Sequence, residues 1–131
     1  MNAKIMIVED HDTARSTLDE WIAAIVPDAR IVAFKSGEEA VDHFETDRDM
    51  DIALVDIGLP GISGIEVTRK LKKLNPSLKV IALSIHRDKV YAEEALAAGA
   101  TAYVSKREAP SELKRILHKT IEMENITRNG M

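Results

Sequence analysis

The chain contains no cysteine, which excludes disulfides, thiolate nucleophiles and cysteine-ligated metals. It also lacks a basic surplus. Its 18 Lys and Arg stand against 22 Asp and Glu, and the net charge of −4 argues against a nucleic-acid surface, which needs a basic face. No apolar stretch approaches the roughly 20 residues required to span a bilayer, so no membrane contact is expected. The opening Met1-Asn2-Ala3-Lys4 has no apolar core of a signal peptide and leads straight into a strand pattern. A cytoplasmic location is the default expectation. Internal repeats, low-complexity segments and linkers are missing too. What is present, 45% hydrophobic and 31% charged residues over a length of 131, reads as one globular domain.

Short β-rich runs alternate with helical periodicity along the chain. Strand patterns run from Lys4 to Val8, Arg30 to Phe34, Asp51 to Asp56, Lys79 to Leu83 and Thr101 to Val104. The first, third and fourth are nearly continuous apolar stretches, as expected of strands buried on both faces. Helix 1 spaces Leu18, Trp21, Ile22 and Ile25 at i, i+3, i+4 and i+7, and Asp12 is its expected N-cap. Helices 2 and 3 open with capping-box patterns, Ser36 to Glu39 and Ser63 to Glu66. Helix 2 presents Ala40, Val41 and Phe44 inward, and helix 3 presents Val67, Leu71 and Leu74. The basic run Arg69-Lys70-Leu71-Lys72-Lys73 is then the solvated face of an amphipathic helix. Helix 4 spans roughly Arg87 to Ala98, has an alanine-rich face and stops at Gly99. Helix 5 starts near Pro110 and spaces Leu113, Ile116, Leu117 and Ile121. Periodicity ends before Glu124, so the domain is expected over 1–123, with 124–131 a frayed tail. This α/β pattern is the flavodoxin-like (βα)5 plan, a doubly wound parallel sheet in strand order 2-1-3-4-5.

In such a sheet all strands end on one edge, and ligands bind in the crevice there. Glu9 and Asp10 follow strand 1, Asp56 ends strand 3 and Lys106 follows strand 5. Clustered carboxylates suit a hard divalent cation such as Mg2+, and a lysine suits a phosphoryl group. The predicted pocket is built for phosphoryl chemistry on an aspartate. Singly, each residue has a plainer reading: Asp56 as a strand-end cap, Glu9-Asp10 as an acidic turn, Lys106 as a surface lysine. Gly61 and Gly64 form neither a dinucleotide fingerprint nor a P-loop, so no nucleotide cofactor is indicated.

Four ordered segments carry a resemblance. Ile5-Met6-Ile7-Val8-Glu9-Asp10, the run from Leu54 to Gly64, Ala82-Leu83-Ser84 and the run from Ala98 to Lys106 together resemble the response-regulator receiver family of two-component signalling. Helix 4 and the strand 5 frame are similar to receivers that precede LuxR-type DNA-binding domains. The resemblance implies that Asp56 is the phosphoacceptor and that a sensor histidine kinase or phosphotransfer protein is the donor. It implies that Asp10 ligates Mg2+ directly, that Glu9 acts through water or by charge balance, and that the Gly58 carbonyl is a further ligand. Lys106 would reach the phosphoryl oxygens. Ser84 would be the switch hydroxyl and Tyr103 the coupled aromatic, passing a signal to the helix 4–strand 5–helix 5 face and altering self-association, including homodimerisation, or output binding. Such a protein is a phosphotransfer acceptor more than an enzyme, although it assists its own phosphorylation and hydrolysis. A proline commonly follows the family's lysine, whereas here Arg107 does. His86 is expected to fringe the pocket or to be a plain loop residue.

Two other functions compete. A phosphohydrolase of the haloacid-dehalogenase type shares the aspartate nucleophile but needs an acid two residues later, where this chain has Gly58. A degenerate receiver serving only as a binding module is disfavoured by the presence of Glu9, Asp10, Asp56 and Lys106 together.

Overall fold

The computed structural model describes residues 3–59, 61–85, 89–107 and 110–129, with 123–129 described by backbone alone. Its elements in chain order are β1 (Lys4–Val8), α1 (Asp12–Ile25), β2 (Arg30–Phe34), α2 (Gly37–Thr46) and β3 (Ile52–Asp56). There follow α3 (Gly64–Leu74), β4 (Lys79–Ser84), α4 (Lys89–Ala97), β5 (Ala102–Ser105) and α5 (Ser111–Asn129). All strands are parallel in the order β2-β1-β3-β4-β5, the flavodoxin-like plan expected from the alternation. Among the described residues no helix is long and apolar enough to cross a membrane.

The continuous apolar strands are explained by two core layers. Successive side chains of a strand point to opposite faces, so Ile5 and Ile7 enter one layer while Met6 and Val8 enter the other. Ile52, Leu54, Ile81, Leu83 and Val104 pack with Leu18 and Ile22 of α1 and with Leu113, Ile116 and Leu117 of α5. Ala53, Val55, Val80 and Ala82 pack with Ala40, Val41 and Phe44 of α2 and with Val67 and Leu71 of α3. From α4 only Ala95 is buried, with Tyr91 packed at the margin. Val90 and Leu96 of that helix and Ile85 just before it are exposed. At about 25 cal/mol per Å2 of apolar surface, α4 gains least from docking.

Helix ends follow local chemistry in most places. The Ser36 and Ser63 hydroxyls accept from the Glu39 and Glu66 backbone N–H groups at 3.1 and 3.2 Å. Gly99 takes φ +113°, which strains any residue with a Cβ. Its N–H donates to Leu96 O, and Ala100 N–H donates to Ala95 O, closing α4 in a Schellman arrangement. The basic run of α3 is held locally: Arg69 pairs with Glu66, and Lys72 donates to the Pro76 and Leu78 carbonyls.

The start of α1 departs from expectation. Asp12 does not cap the helix. His11 holds the N-cap position without a side-chain cap bond, and Asp12 is the first helical residue. The Asp12 carboxylate accepts from Arg15 at 2.6 Å instead, because residues three apart on a helix face each other. At the other end, the backbone of α5 continues to Asn129 across the segment expected to be a tail. Helical backbone needs only local hydrogen bonds, and no Pro or Gly interrupts it before Gly130.

Candidate functional site

The parallel order brings the carboxyl ends of β1, β3 and β5 to one sheet edge, and the connections there carry the polar residues. Asp56 is the last residue of β3, only 6% exposed, and the next N–H, from Ile57, donates to Leu83 O of β4. Glu9 leaves β1 with its N–H donated to Phe34 O of β2, and it is fully buried. Lys106 leaves β5 with its N–H donated to Ser84 O at 2.8 Å. These bonds extend the β1–β2, β3–β4 and β4–β5 pairings past the strand ends, and the β1–β3 pairing joins the two groups around one cleft.

Gly64 allows the loop after Asp56 to turn this tightly. A Cβ there would meet the Asp56 carbonyl oxygen and come within 2.6 Å of Ile57 Cα, so only glycine lets α3 begin against the end of β3.

The Lys106 ammonium lies between two carboxylates, donating to Glu9 Oε1 at 2.5 Å and to Asp56 Oδ2 at 3.2 Å. The other Asp56 oxygen, Oδ1, accepts from Gly58 N–H at 2.9 Å. Burial pushes the Glu9 carboxyl above its ordinary value, and the neighbouring Asp56 charge adds to this against the opposing pull of Lys106. Burial works against the Lys106 charge as well, but the hydrogen bond to Glu9 and the Asp56 charge outweigh it and raise the lysine. One cation is thus shared among more negative charge than it balances.

Glu9, Asp10, His11 and Asp56 each place a ligand atom within 4.8 Å of the others. Asp10 Oδ1 is buried without a hydrogen-bond donor, although His11 Nδ1 stands 3.4 Å away. A buried carboxylate oxygen without a donor is costly. A divalent cation fits here: the donors are mostly hard oxygens, one Asp10 oxygen lacks a partner, and of the three clustered carboxylates Lys106 pairs with Glu9 and Asp56.

Of the residues singled out from the sequence, Glu9, Asp10, Asp56 and Lys106 converge. Gly58 adjoins them through its N–H. Ser84 is buried at the end of β4, beside Ser105 of β5, with its carbonyl engaged by Lys106. Alternation puts its side chain on the face of Val80 and Ala82, the layer against which half-buried Tyr103 packs. His86 lies outside the described residues. Arg107 is exposed, and its N–H donates to Ser105 Oγ at 3.3 Å.

Sequence reasoning missed two residues. His11 enters the acidic cluster, and Arg15 Nη1 donates to Glu9 O at 3.1 Å, tying α1 to the end of β1. The usable signal for His11 is its place directly after Glu9-Asp10. Arg15 has none beyond its place one turn into α1. Beside the site, Glu9, Ala14, Thr17, Leu18, Trp21, Leu83 and Lys106 line a narrow cleft. The larger groove, about 670 Å3 between the end of α1 and the start of α5, stands apart from the carboxylates.

Comparison with known proteins gives concordant matches. The family model described as response regulator receiver domain matches residues 5–118. The response regulator UvrY of Escherichia coli K12 is 31% identical over 109 residues, covering 83% of this chain and 50% of UvrY. The transcriptional regulatory protein DegU of Brevibacillus brevis is 38% identical over 104 residues, covering 79% of this chain and 43% of DegU. A LuxR-family two-component response regulator from Aurantimonas sp. SI85-9A1 superposes with a TM-score of 0.83 at 30% identity, covering 91% of this chain and 84% of that one. The chain spans about half the length of these curated relatives.

Proposed function

The chain belongs to the response-regulator receiver family, and on that premise we propose that it accepts a phosphoryl group on Asp56 from a partner's phosphohistidine. The observation that carries this reading is the Lys106 ammonium held between Glu9 and Asp56 at the sheet edge. In the transfer, an Asp56 carboxylate oxygen attacks phosphorus while the phosphorus–nitrogen bond of the donor breaks, and the imidazole leaves with that electron pair. Gly58 N–H fixes the rotation of the Asp56 carboxylate, keeping one oxygen oriented. Lys106 follows the charge as it passes to the phosphoryl oxygens, and charge-assisted contacts of this kind are about twice as strong as neutral ones. Glu9, Asp10 and Asp56, with the Gly58 carbonyl, would hold Mg2+, which when bound neutralises charge between nucleophile and phosphoryl group. The buried Asp10 oxygen without a donor supports a cation there.

The output follows from how Lys106 is anchored. Its backbone N–H is bonded to Ser84 O, so drawing its side chain toward a new phosphoryl group loads the ends of β4 and β5 together. The Ser84 hydroxyl is the second group recruited, and Tyr103 packs on the same layer as Ser84. Complete inversion of a two-state switch needs about 5.5 kcal/mol of differential affinity, within reach of several charge-assisted bonds. The element that yields is α4, which buries little apolar side chain and begins soon after Ser84. The signalled surface is therefore α4–β5–α5, offered to a second copy or to an output partner. In a longer, LuxR-type protein that output is DNA binding.

The test is treatment with a small phosphodonor and Mg2+, read by intact mass. The wild-type chain gains a phosphoryl group and Asp56→Asn does not. A phosphoryl group still carried by Asp56→Asn overturns the assignment. Hydrogen exchange with and without beryllofluoride should change most over 89–105; changes confined to α1 and α2 would refute the output route.

A further inference from the structure

Resting on the cation reading above, we propose that His11 Nδ1 is a ligand of the same pocket and makes it a mixed nitrogen–oxygen site that favours Mn2+, Co2+ and Zn2+ over Mg2+. The ordinary reading of an exposed histidine at a helix start is a solvated ring, and His11 is 73% exposed. Its nitrogen, however, is directed inward. Nδ1 stands 3.4 Å from Asp10 Oδ1 and 3.5 Å from Glu9 Oε2, oxygens of two different carboxylates. The first is the buried oxygen that has no hydrogen-bond donor. The second is the Glu9 oxygen that Lys106 leaves open, since the ammonium takes Oε1.

Backbone geometry aims the ring. His11 holds the extended N-cap conformation of α1, φ −81° and ψ 122°, and its own N–H donates to Glu9 Oε2 at 3.4 Å. The residue is thereby folded back over the pocket rather than carried along the helix.

The spacings suit a common coordination sphere. Ligand atoms about 2.1 Å from an octahedral metal lie roughly 3.0 Å apart when adjacent and roughly 4.2 Å apart when opposite. Here the His11 separations are 3.4 and 3.5 Å, and all four ligand atoms lie within 4.8 Å of one another. A contraction of a few tenths of an ångström, of the kind carboxylate rotamers supply, closes the sphere. Mg2+ takes oxygen ligands and keeps its waters, so it gains little from an imidazole. Imidazole suits Zn2+, and transition cations bind nitrogen–oxygen sites in the order Mn2+ < Co2+ and Zn2+. His11 would therefore set which cation fills the pocket without contributing to the phosphoryl chemistry.

The experiment uses the full chain, His11→Ala and Asp10→Asn, titrated calorimetrically with Mg2+, Mn2+ and Zn2+. Pulsed electron paramagnetic resonance of the Mn2+ forms reads directly bound nitrogen. Wild type should show nitrogen coupling that disappears in His11→Ala. That variant should lose about tenfold or more in Zn2+ affinity and keep its Mg2+ affinity within about threefold. Asp10→Asn should weaken all three cations. No nitrogen coupling in wild type, coupling that survives in His11→Ala, or an equal loss for Mg2+ and Zn2+ would overturn the role of His11. If Asp10→Asn still weakens all three cations, the cation pocket itself survives that result; if it weakens none, both readings fall.

Discussion

Replacing Lys106 by methionine keeps the aliphatic stem and removes the charge that Glu9 and Asp56 share. At 3.2 Å from Asp56 Oδ2 and an effective dielectric constant near 20, the gross attraction to that carboxylate is about 5 kcal/mol. Dehydrating the ammonium opposes most of it. Removing one partner from a fully buried pair costs about 3–5 kcal/mol, and a Lys106 side chain that remains 26% exposed brings the expected cost to or just below the bottom of that range. A loss of about 2–3 kcal/mol is expected in chelator at pH 8, well above the worth of a surface pair. Equilibrium urea unfolding followed by the single tryptophan, Trp21, measures it.

The pH dependence tests the cause. The folded-state Glu9 carboxyl is already raised above 4.5, chiefly by burial, and losing Lys106 raises it further. An acid raised in the folded state destabilises the fold once ionised, so the variant loses stability as pH rises through its folded value. The penalty should therefore shrink as pH falls from 8 toward 5, while Glu9 takes up a proton. Saturating Mg2+ should narrow it as well, by supplying positive charge to the same carboxylates. A difference below about 0.5 kcal/mol at pH 8, within the usual scatter of surface substitutions, or a penalty that grows on acidification, would refute this account.

Gly64→Ala places a Cβ against the backbone of Asp56 and Ile57, atoms that cannot rotate away, and should cost about 3 kcal/mol or more in the same assay. Leu71→Ala, at a fully buried position of α3, should cost about 2–5 kcal/mol and leave a cavity beneath the sheet. Ser36→Ala should cost about 1 kcal/mol through loss of the bond from Glu39 N–H, whereas Ser36→Asp, which can accept the same bond, should stay near wild type. Thermal unfolding by circular dichroism distinguishes these outcomes, and equal stability of Ser36→Ala and Ser36→Asp would remove the cap as the cause.

The fold was legible in the residues because its signals are local. Alternation of apolar runs such as Ile5 to Val8 with helix-spaced Leu18 and Ile22 depends on geometry that repeats within a few residues, and a sheet buried on both faces admits few connections. The gathering of Glu9, Asp10, Asp56 and Lys106 was legible for the same reason: parallel strands all end on one edge. Which atoms meet there was not. That Lys106 takes Glu9 Oε1 and leaves Oε2 to His11, that Arg15 reaches back to the Glu9 carbonyl, and that Asp12 pairs with Arg15 instead of capping α1 are outcomes of competition among polar groups within a few ångströms. The continuation of α5 past the last periodic position was equally silent, since a helix keeps its backbone bonds with or without a core-facing stripe. Periodicity places a residue on an edge or a face, but a hydrogen bond or a ligand distance depends on the path of every segment around it, and those paths exist only in the folded chain.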